Sequence, residues 1–366
     1  MDLNNFKRAL VASVSDVEFI SEQKNKLGDK KFQEKMYSTF KKYIDNEKII
    51  FFAIHGNTHT WEISVLWELE DEVWFQEAFD FLMSALNKAL KNNRDQGLRY
   101  LEKESPKFFR ALETWHENFY LSDFEKIKDK KHKVRALFRM LGDSIESTHK
   151  PLIEFIYGLI SIDNIFFKNS KSFGSKVNDF IHNEKLKIVY KEKLLHVPLS
   201  QWRNIAQHSS YIYDANKKNI KCLYGNNNEK EINISIDDLY QILSHLNIVQ
   251  ALHKIAIEFL FLEYLEDIDW GEKDVNIETL CSQIGHALAL SSYKIKEIKK
   301  HKKSFVINVI DLNCEGILNF KKIIFEQSSI LMMMKDMGYI VQIHLFDIDG
   351  NKLTEFREVI VLPTSR

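Results

Sequence analysis

The sequence predicts a mainly α fold: a helical bundle preceded by an N-terminal helical region and followed by a small C-terminal α+β domain. Three observations lead there. Only 4 prolines and 12 glycines in 366 residues leave little material for a loop-rich or all-β chain. Apolar residues recur at helical spacing through most of the chain, on a background rich in Lys, Glu and Leu. Toward the C-terminus the pattern changes to β-branched and alternating segments, two of which meet at Asp349-Gly350, a strong hairpin signal.

A 45% apolar content supports two or three domains with cores of their own, divided as 1–125, 126–270 and 271–366. In the first region Phe32, Met36, Phe40 and Tyr43 repeat at helical spacing, as do Phe75, Phe79, Phe81, Leu82 and Leu86. Between them, the apolar run Ile49 to Ile54 fits a strand or a buried helix equally well. Ser105-Pro106 reads as an N-cap and first helical residue, opening a helix through His116. His55, His59 and Glu62 could face one metal if they shared a helix, but Gly56, Asn57 and Thr58 are poor helix formers, which favours a loop or a helix start.

The lysine-rich stretch Lys126–Arg135 marks the next boundary. Beyond it Val134, Leu137, Phe138, Leu141 and Ile145 line one side of a helix, which Pro151 restarts or kinks, and a second helix runs to about Phe167. Val177, Phe180 and Ile181 suggest a third. Pro198-Leu-Ser200 introduces a short helix, and a hairpin follows from Asn219–Tyr224, a Gly225-Asn-Asn-Asn turn and Glu231–Ile234. Ser235 with Asp238 three residues on resembles a capping box for a long apolar helix to about Leu265. In the last region a helix from about Ile277 is expected to end in the basic run Lys294–Lys303. A strand at Phe305–Ile310, a helix through Met332–Met334 and the paired segments around Asp349-Gly350 complete a β-α-β-β domain. Asp347, Asp349 and Asn351 mimic part of a calcium loop but lack its closing glutamate, so they read as the hairpin turn.

Composition excludes several function classes. A net charge of -1 gives no global signal for a polyanion, so nucleic-acid contact must come from local patches such as Lys130, Lys131 and Lys133, or Lys299 and Lys300. Cys222, Cys281 and Cys314 are odd in number and lack paired spacing, which fits a reducing compartment and gives neither a disulfide framework nor a zinc site. There is no signal-peptide core, membrane span, Walker loop, dinucleotide fingerprint or serine-hydrolase elbow. A cytoplasmic protein without a metal or other cofactor is expected.

One segment carries chemistry. Arg203-Asn204-Ile205-Ala206-Gln207-His208 places a guanidinium, two amides and an imidazole on one short helix with no acid among them. With Ser200 as N-cap, Arg203 falls in the first turn, where free N–H groups favour an anion. Trp202, Ile205, Ala206 and Ser209 would then face the core, and Arg203, Asn204, Gln207 and His208 the outside. Spacing alone is a weak signal, since Arg110 and His116 are similarly placed. That pair lacks the neighbouring amide and encloses Glu113, which would repel phosphate, so it is set aside.

At Trp202–His208, with Ser209-Ser210-Tyr211, the short hairpin and the Asp237-Asp238-Leu239 opening of a long helix, the sequence resembles the HEPN superfamily of helical nucleotide- and RNA-processing domains. Leu141–Glu146 and Lys150-Pro151-Leu152 are similar to the opening helix of such domains, and the resemblance covers roughly residues 130–268. It implies a metal-independent endoribonuclease, usually a homodimer with two such helices facing a shared cleft. Arg203 would hold the scissile phosphate, His208 would act as general base or acid, and Asn204 would orient the histidine or donate to the phosphate. Expected products carry 2′,3′-cyclic phosphate and 5′-hydroxyl ends. Gln207, Ser209 and Tyr211 are accessory candidates. Toxin relatives often carry tyrosine two residues after the histidine, whereas here Ser210 stands there and Tyr211 follows. By analogy, the protein would be a toxin or antiphage-defence effector with a regulatory partner or trigger. A non-catalytic RNA- or nucleotide-binding module, or a scaffold for protein partners, is the alternative.

Overall fold

The computed structural model describes residues 18–55, 59–119, 127–163, 170–269 and, with short gaps, 280–357. Residues 1–17, Lys126, Phe167, Ile277, Cys281, Lys302, Lys303, Met332 and Met333 lie outside the described residues, as does the side chain of Lys300. The described chain is mostly helical with two small sheets. It divides into two compact units, Leu69–Trp270 and Met1–Glu68 with Gly271–Arg366. No described helix is long and apolar enough to cross a membrane.

The first helices are α1 (Glu18–Leu27), α2 (Asp29–Lys41), α3 (Glu47–His55) and α4 (Thr60–Glu68). The Ile49–Ile54 run is thus helical, with Ile49, Ile50, Ala53 and Ile54 buried at helical rather than alternating spacing. His55 ends α3 and His59, at φ 59°, precedes α4, so His55, His59 and Glu62 do not share a helix.

The larger unit holds α5 (Val73–Asn92), α6 (Arg94–Phe119), α7 (Lys130–Ser144), α8 (Lys150–Asp163), α9 (Phe173–Ile181), α10 (Glu184–Tyr190), α11 (Leu199–Gln207) and α12 (Ile236–Glu263). Ser105-Pro106 does not open a helix; Pro106 sits inside α6. Proline cannot donate to the carbonyl four residues back, and the Ser105 hydroxyl donates to that Glu102 oxygen instead, at 3.1 Å. Pro151 stands second in α8, where the helix restarts. A π turn, Ile145–His149, joins α7 to α8, with Lys150 N–H bonded to Ile145 O, and this local widening just ahead of Pro151 carries the chain on as helix.

Helix α12 is the centre of this unit. Its capping box is complete: Asp238 N–H donates to Ser235 Oγ at 3.0 Å and Ser235 N–H to Asp238 Oδ2 at 2.7 Å. Leu239, Leu243, Leu246, Val249, Ile255, Phe259 and Leu262 are buried around its whole circumference, because α5, α7 and α8 pack on it from different sides. Phe79 meets Phe259 edge-on, and Phe108, Phe155 and Phe261 cluster beside them.

A three-stranded antiparallel sheet, β1 (Tyr211–Asp214), β2 (Asn219–Tyr224) and β3 (Lys230–Ile234), fills the loop before α12. The sequence pattern marks β2 and β3 only; β1 is short, carries no buried residue and takes its register from β2. In the other unit, β4 (Tyr293–His301), β5 (Ser304–Asp311), α13 (Gly316–Glu326), β6 (Ile340–Phe346) and β7 (Lys352–Arg357) form a sheet ordered β4-β5-β6-β7. Strands β5 and β6 are parallel across the α13 connection, and the outer pairs are antiparallel. From Lys294 to His301 the basic run is therefore a strand, not a helix end, and the described strands and α13 run ββαββ rather than β-α-β-β. Tyr293, Ile295 and Ile298 are buried, while lysines and a bulge between Ile295 and Glu297 mark β4 as an edge strand. The Asp347–Asn351 turn is held by Asn351 N–H donating to Asp347 Oδ1 at 2.7 Å.

Candidate active site on helix α11

Two aromatic and aliphatic anchors place α11. Trp202 and Ile205 are fully buried, and the Trp202 indole N–H donates to Leu194 O at 3.0 Å. The helix starts two residues earlier than Ser200 would set it. Its N-cap is Pro198, and Ser200 is buried inside the first turn. Arg203 therefore lies mid-helix, away from the free N–H groups of the N-terminus, and the dipole argument for an anion there does not apply.

Helix α11 lies close against α7 at Gly142. A Cβ there would come within 3.2 Å of Ala206 Cβ and 3.1 Å of Gln207 Nε2. The contact is therefore nearly backbone to backbone, and it brings the residue one turn beyond Gly142 opposite the residue one turn before Ala206. Those are Glu146 and Arg203. Arg203 Nε donates to Glu146 Oε2 at 2.8 Å, and Lys150 Nζ donates to Glu146 Oε1 at 2.5 Å. Arg203 Nη1 donates to Asn204 Oδ1 at 3.3 Å. All three charged side chains are about one third exposed. The Arg203 guanidinium, with Lys150 adding to it, holds the Glu146 carboxyl below its ordinary pKa.

His208 is not in the helix body but caps its C-terminus. Its backbone N–H donates to Asn204 O at 2.9 Å, Ser210 N–H reaches back to Ile205 O at 2.9 Å and Ser209 N–H to Ala206 O at 3.4 Å. Ser209 takes φ 52°. This is a Schellman turn with a serine in the left-handed position where glycine is preferred. It leaves the His208, Gln207 and Ser209 side chains exposed, so Ser209 does not join Trp202 and Ile205 in the core.

Strand β1 leaves this turn directly. The Tyr211 ring stacks on buried Phe138 of α7 at 3.9 Å between centroids, and burial raises the pKa of its phenol, opposed by Arg135 and a Ser209 hydrogen bond. Gly225 N–H donates to Gln201 Oε1 at 3.0 Å and Leu223 N–H to Ser210 O at 2.8 Å, tying β2 to both ends of α11. Lys130 and Lys131 are exposed and Lys133 half-buried in the first turn of α7, whereas Lys299 belongs to the other unit and pairs with Glu297 at 3.0 Å.

Arg203, Asn204, Gln207 and His208 thus share one short element. The acid absent from their own stretch of sequence is supplied by Glu146 across the helix contact. Sequence reasoning missed the roles of Glu146 and Lys150. Their i,i+4 spacing was a visible pairing signal, but nothing local points from Glu146 to Arg203. No family model matches the chain, and neither curated proteins nor solved structures yield a similar one.

Proposed function

We propose that the protein is a metal-independent endoribonuclease of HEPN type. One observation carries this reading: an anchored guanidinium at Arg203 and a solvent-exposed imidazole at His208 stand on the same nine-residue helix and its cap. Arg203 would bind the scissile phosphate and stabilise charge growing on it. His208 would take the proton of the ribose 2′-hydroxyl or return one to the leaving 5′-oxygen. Asn204, hydrogen-bonded to Arg203, would steady the guanidinium or add a donor to the phosphate. Attack by the 2′-oxygen breaks the phosphorus–5′-oxygen bond and leaves a 2′,3′-cyclic phosphate. The homodimer with a shared cleft, the cytoplasmic setting and a role as toxin or antiphage effector rest on the resemblance of Trp202–Tyr211 to that superfamily.

The Glu146 contact favours a second reading, a binding module in which Arg203 is a structural ion pair. Incubating the full-length protein with oligoribonucleotides in excess EDTA separates the two. The nuclease reading expects cleavage with cyclic phosphate ends, an all-deoxy oligonucleotide left intact, and at least ~100-fold loss in Arg203→Ala and His208→Ala. RNA that is bound but uncut, equally by wild type and both variants, supports the module instead.

A further inference from the structure

The Glu146 side chain has no place in the chemistry above, yet it is the closest partner of Arg203. Resting on that functional reading, we propose that Glu146 is the positioning residue of the site. It grips Arg203 through Nε so that the terminal edge of the guanidinium is presented to one phosphate, and it tempers how tightly that phosphate is held.

Three features support this. First, an arginine fork can meet a phosphate through its side, Nε with one terminal nitrogen, or through its end, with both terminal nitrogens. Here the side is occupied, because Nε donates to Glu146 Oε2 at 2.8 Å. Nη1 has only the longer 3.3 Å contact to Asn204 Oδ1, and Nη2 has no hydrogen-bond partner among the described residues. The end is therefore the edge left to an incoming anion. Second, Glu146 is itself held from behind. Lys150, one turn on, bonds its other oxygen, so the carboxylate is a fixed point with limited freedom to swing away. Third, Glu146 stands in the π turn Ile145–His149, the one departure from α geometry in the continuous run from Lys130 to Asp163. The turn adds a residue within the run, so residues after it face differently from where an unbroken α-helix would put them. Glu146 faces Arg203, while Thr148 and His149, two and three residues on, are fully buried.

The trio Glu146, Lys150 and Arg203 carries a net charge of one positive. A carboxylate about 4 Å from a bound phosphate opposes it by an amount worth roughly a fivefold change in affinity in a well-solvated site. Glu146 therefore weakens ground-state binding while ordering the group that acts on the transition state, which is the signature of positioning rather than adhesion.

The test uses the full chain with Glu146→Gln and Glu146→Ala, and two probes. A labelled all-deoxy oligonucleotide, which has no 2′-hydroxyl to react, reports anion affinity at low salt. The Arg203 Nε–H resonance, assigned by its loss in Arg203→Lys, reports order. The inference expects Glu146→Gln to bind the DNA about fivefold tighter with Nε–H still protected from exchange, and Glu146→Ala to lose that protection. It further expects single-turnover RNA cleavage by Glu146→Ala to fall at least tenfold with binding undiminished. Unchanged affinity in Glu146→Gln, or an Nε–H equally protected in Glu146→Ala, overturns the positioning role. If wild type cuts no RNA, the nuclease reading falls by itself, and the affinity and exchange measurements still decide what Glu146 does to Arg203.

Discussion

Acidification between pH 8 and pH 5 should remove a large part of the stability of the α5–α12 unit, because three histidines are buried there in neutral form. His149 and His253 are fully buried and His245 nearly so. Burial, with His245 nearby, pushes His149 down to about 3, and burial, opposed by a bond to Val189 O, pushes His245 down to about 4. His253 is also driven well below its ordinary value by burial and by His149. His245 Nε2–H donates to Val189 O at 2.9 Å and His253 Nε2 is hydrogen-bonded to Tyr190 Oη at 2.6 Å, but among the described residues neither ring nitrogen of His149 has a hydrogen-bond partner.

In the folded chain His149 and His245 stay neutral until the pH nears about 3 and about 4, and burial holds His253 neutral well below its ordinary range too. Unfolded, they charge as the pH falls through the ordinary value of 6.5. The unfolded state then binds more protons, so their contribution is complete above pH 6.5 and is lost as the pH falls toward 4 and 3. From 6.5 to 5 each group destabilises by about 2 kcal/mol, hence about 6 kcal/mol for three, against a total of roughly 5–15 kcal/mol for a typical domain. Carboxylates whose pKa is lowered in the fold, Glu146, Glu47 and Glu231, act mainly below their ordinary 4.5 and do not blur this window. Urea denaturation at half-unit steps from pH 8 to 5 should show about three protons taken up on unfolding near pH 5.5, and His149→Leu should reduce that to about two. A stability that stays flat down to pH 5, or a proton uptake that His149→Leu leaves untouched, would refute the buried-neutral assignment.

The remaining expectations concern the mounting of α11. Gly142→Ala adds a Cβ within 3.2 Å of Ala206 Cβ; better helix propensity offsets about 1 kcal/mol of a roughly 1–3 kcal/mol overpacking cost, so thermal stability should drop only modestly. The variant should nevertheless loosen the Glu146–Arg203 contact, seen as faster exchange of Arg203 Nε–H and slower RNA cleavage. Ser209→Gly relieves a φ of 52° at the Schellman turn, and should raise stability by about 0.5–1 kcal/mol in the same urea titrations. Because that change also removes a hydroxyl bonded to Tyr211, an unaltered cleavage rate would drop Ser209 and its tyrosine contact from the accessory residues.

Much of the helical architecture is legible from apolar spacing alone. Val134, Leu137, Phe138, Leu141 and Ile145 are buried as their periodicity demands, and Ser235 with Asp238 forms the cap its spacing announces. The misreadings share a cause: a local signal with a remote or compensating partner. Ser105-Pro106 carries the signature of a helix start, but a single hydroxyl bond to Glu102 O lets α6 run through it. Lys294–His301 looks like a charged helix end because its lysines outnumber its apolar residues; only pairing with β5 exposes the alternation of Tyr293, Ile295 and Ile298 around a bulge. Ser200 is a better N-cap type than Pro198, yet burial of Trp202 and Ile205 sets the helix phase and moves Arg203 away from the N-terminus.

By itself the sequence determined a mainly helical chain, the long central helix with its cap, and a short segment in which Arg203, Asn204 and His208 stand together. Those properties depend on contacts within a turn or two, where spacing and residue type decide. The tertiary structure alone decided that Glu146 takes Arg203 and that three histidines are buried neutral. Each of these depends on which helices touch: a glycine at residue 142 admits α11, and that approach joins side chains 57 positions apart, a distance no local pattern encodes.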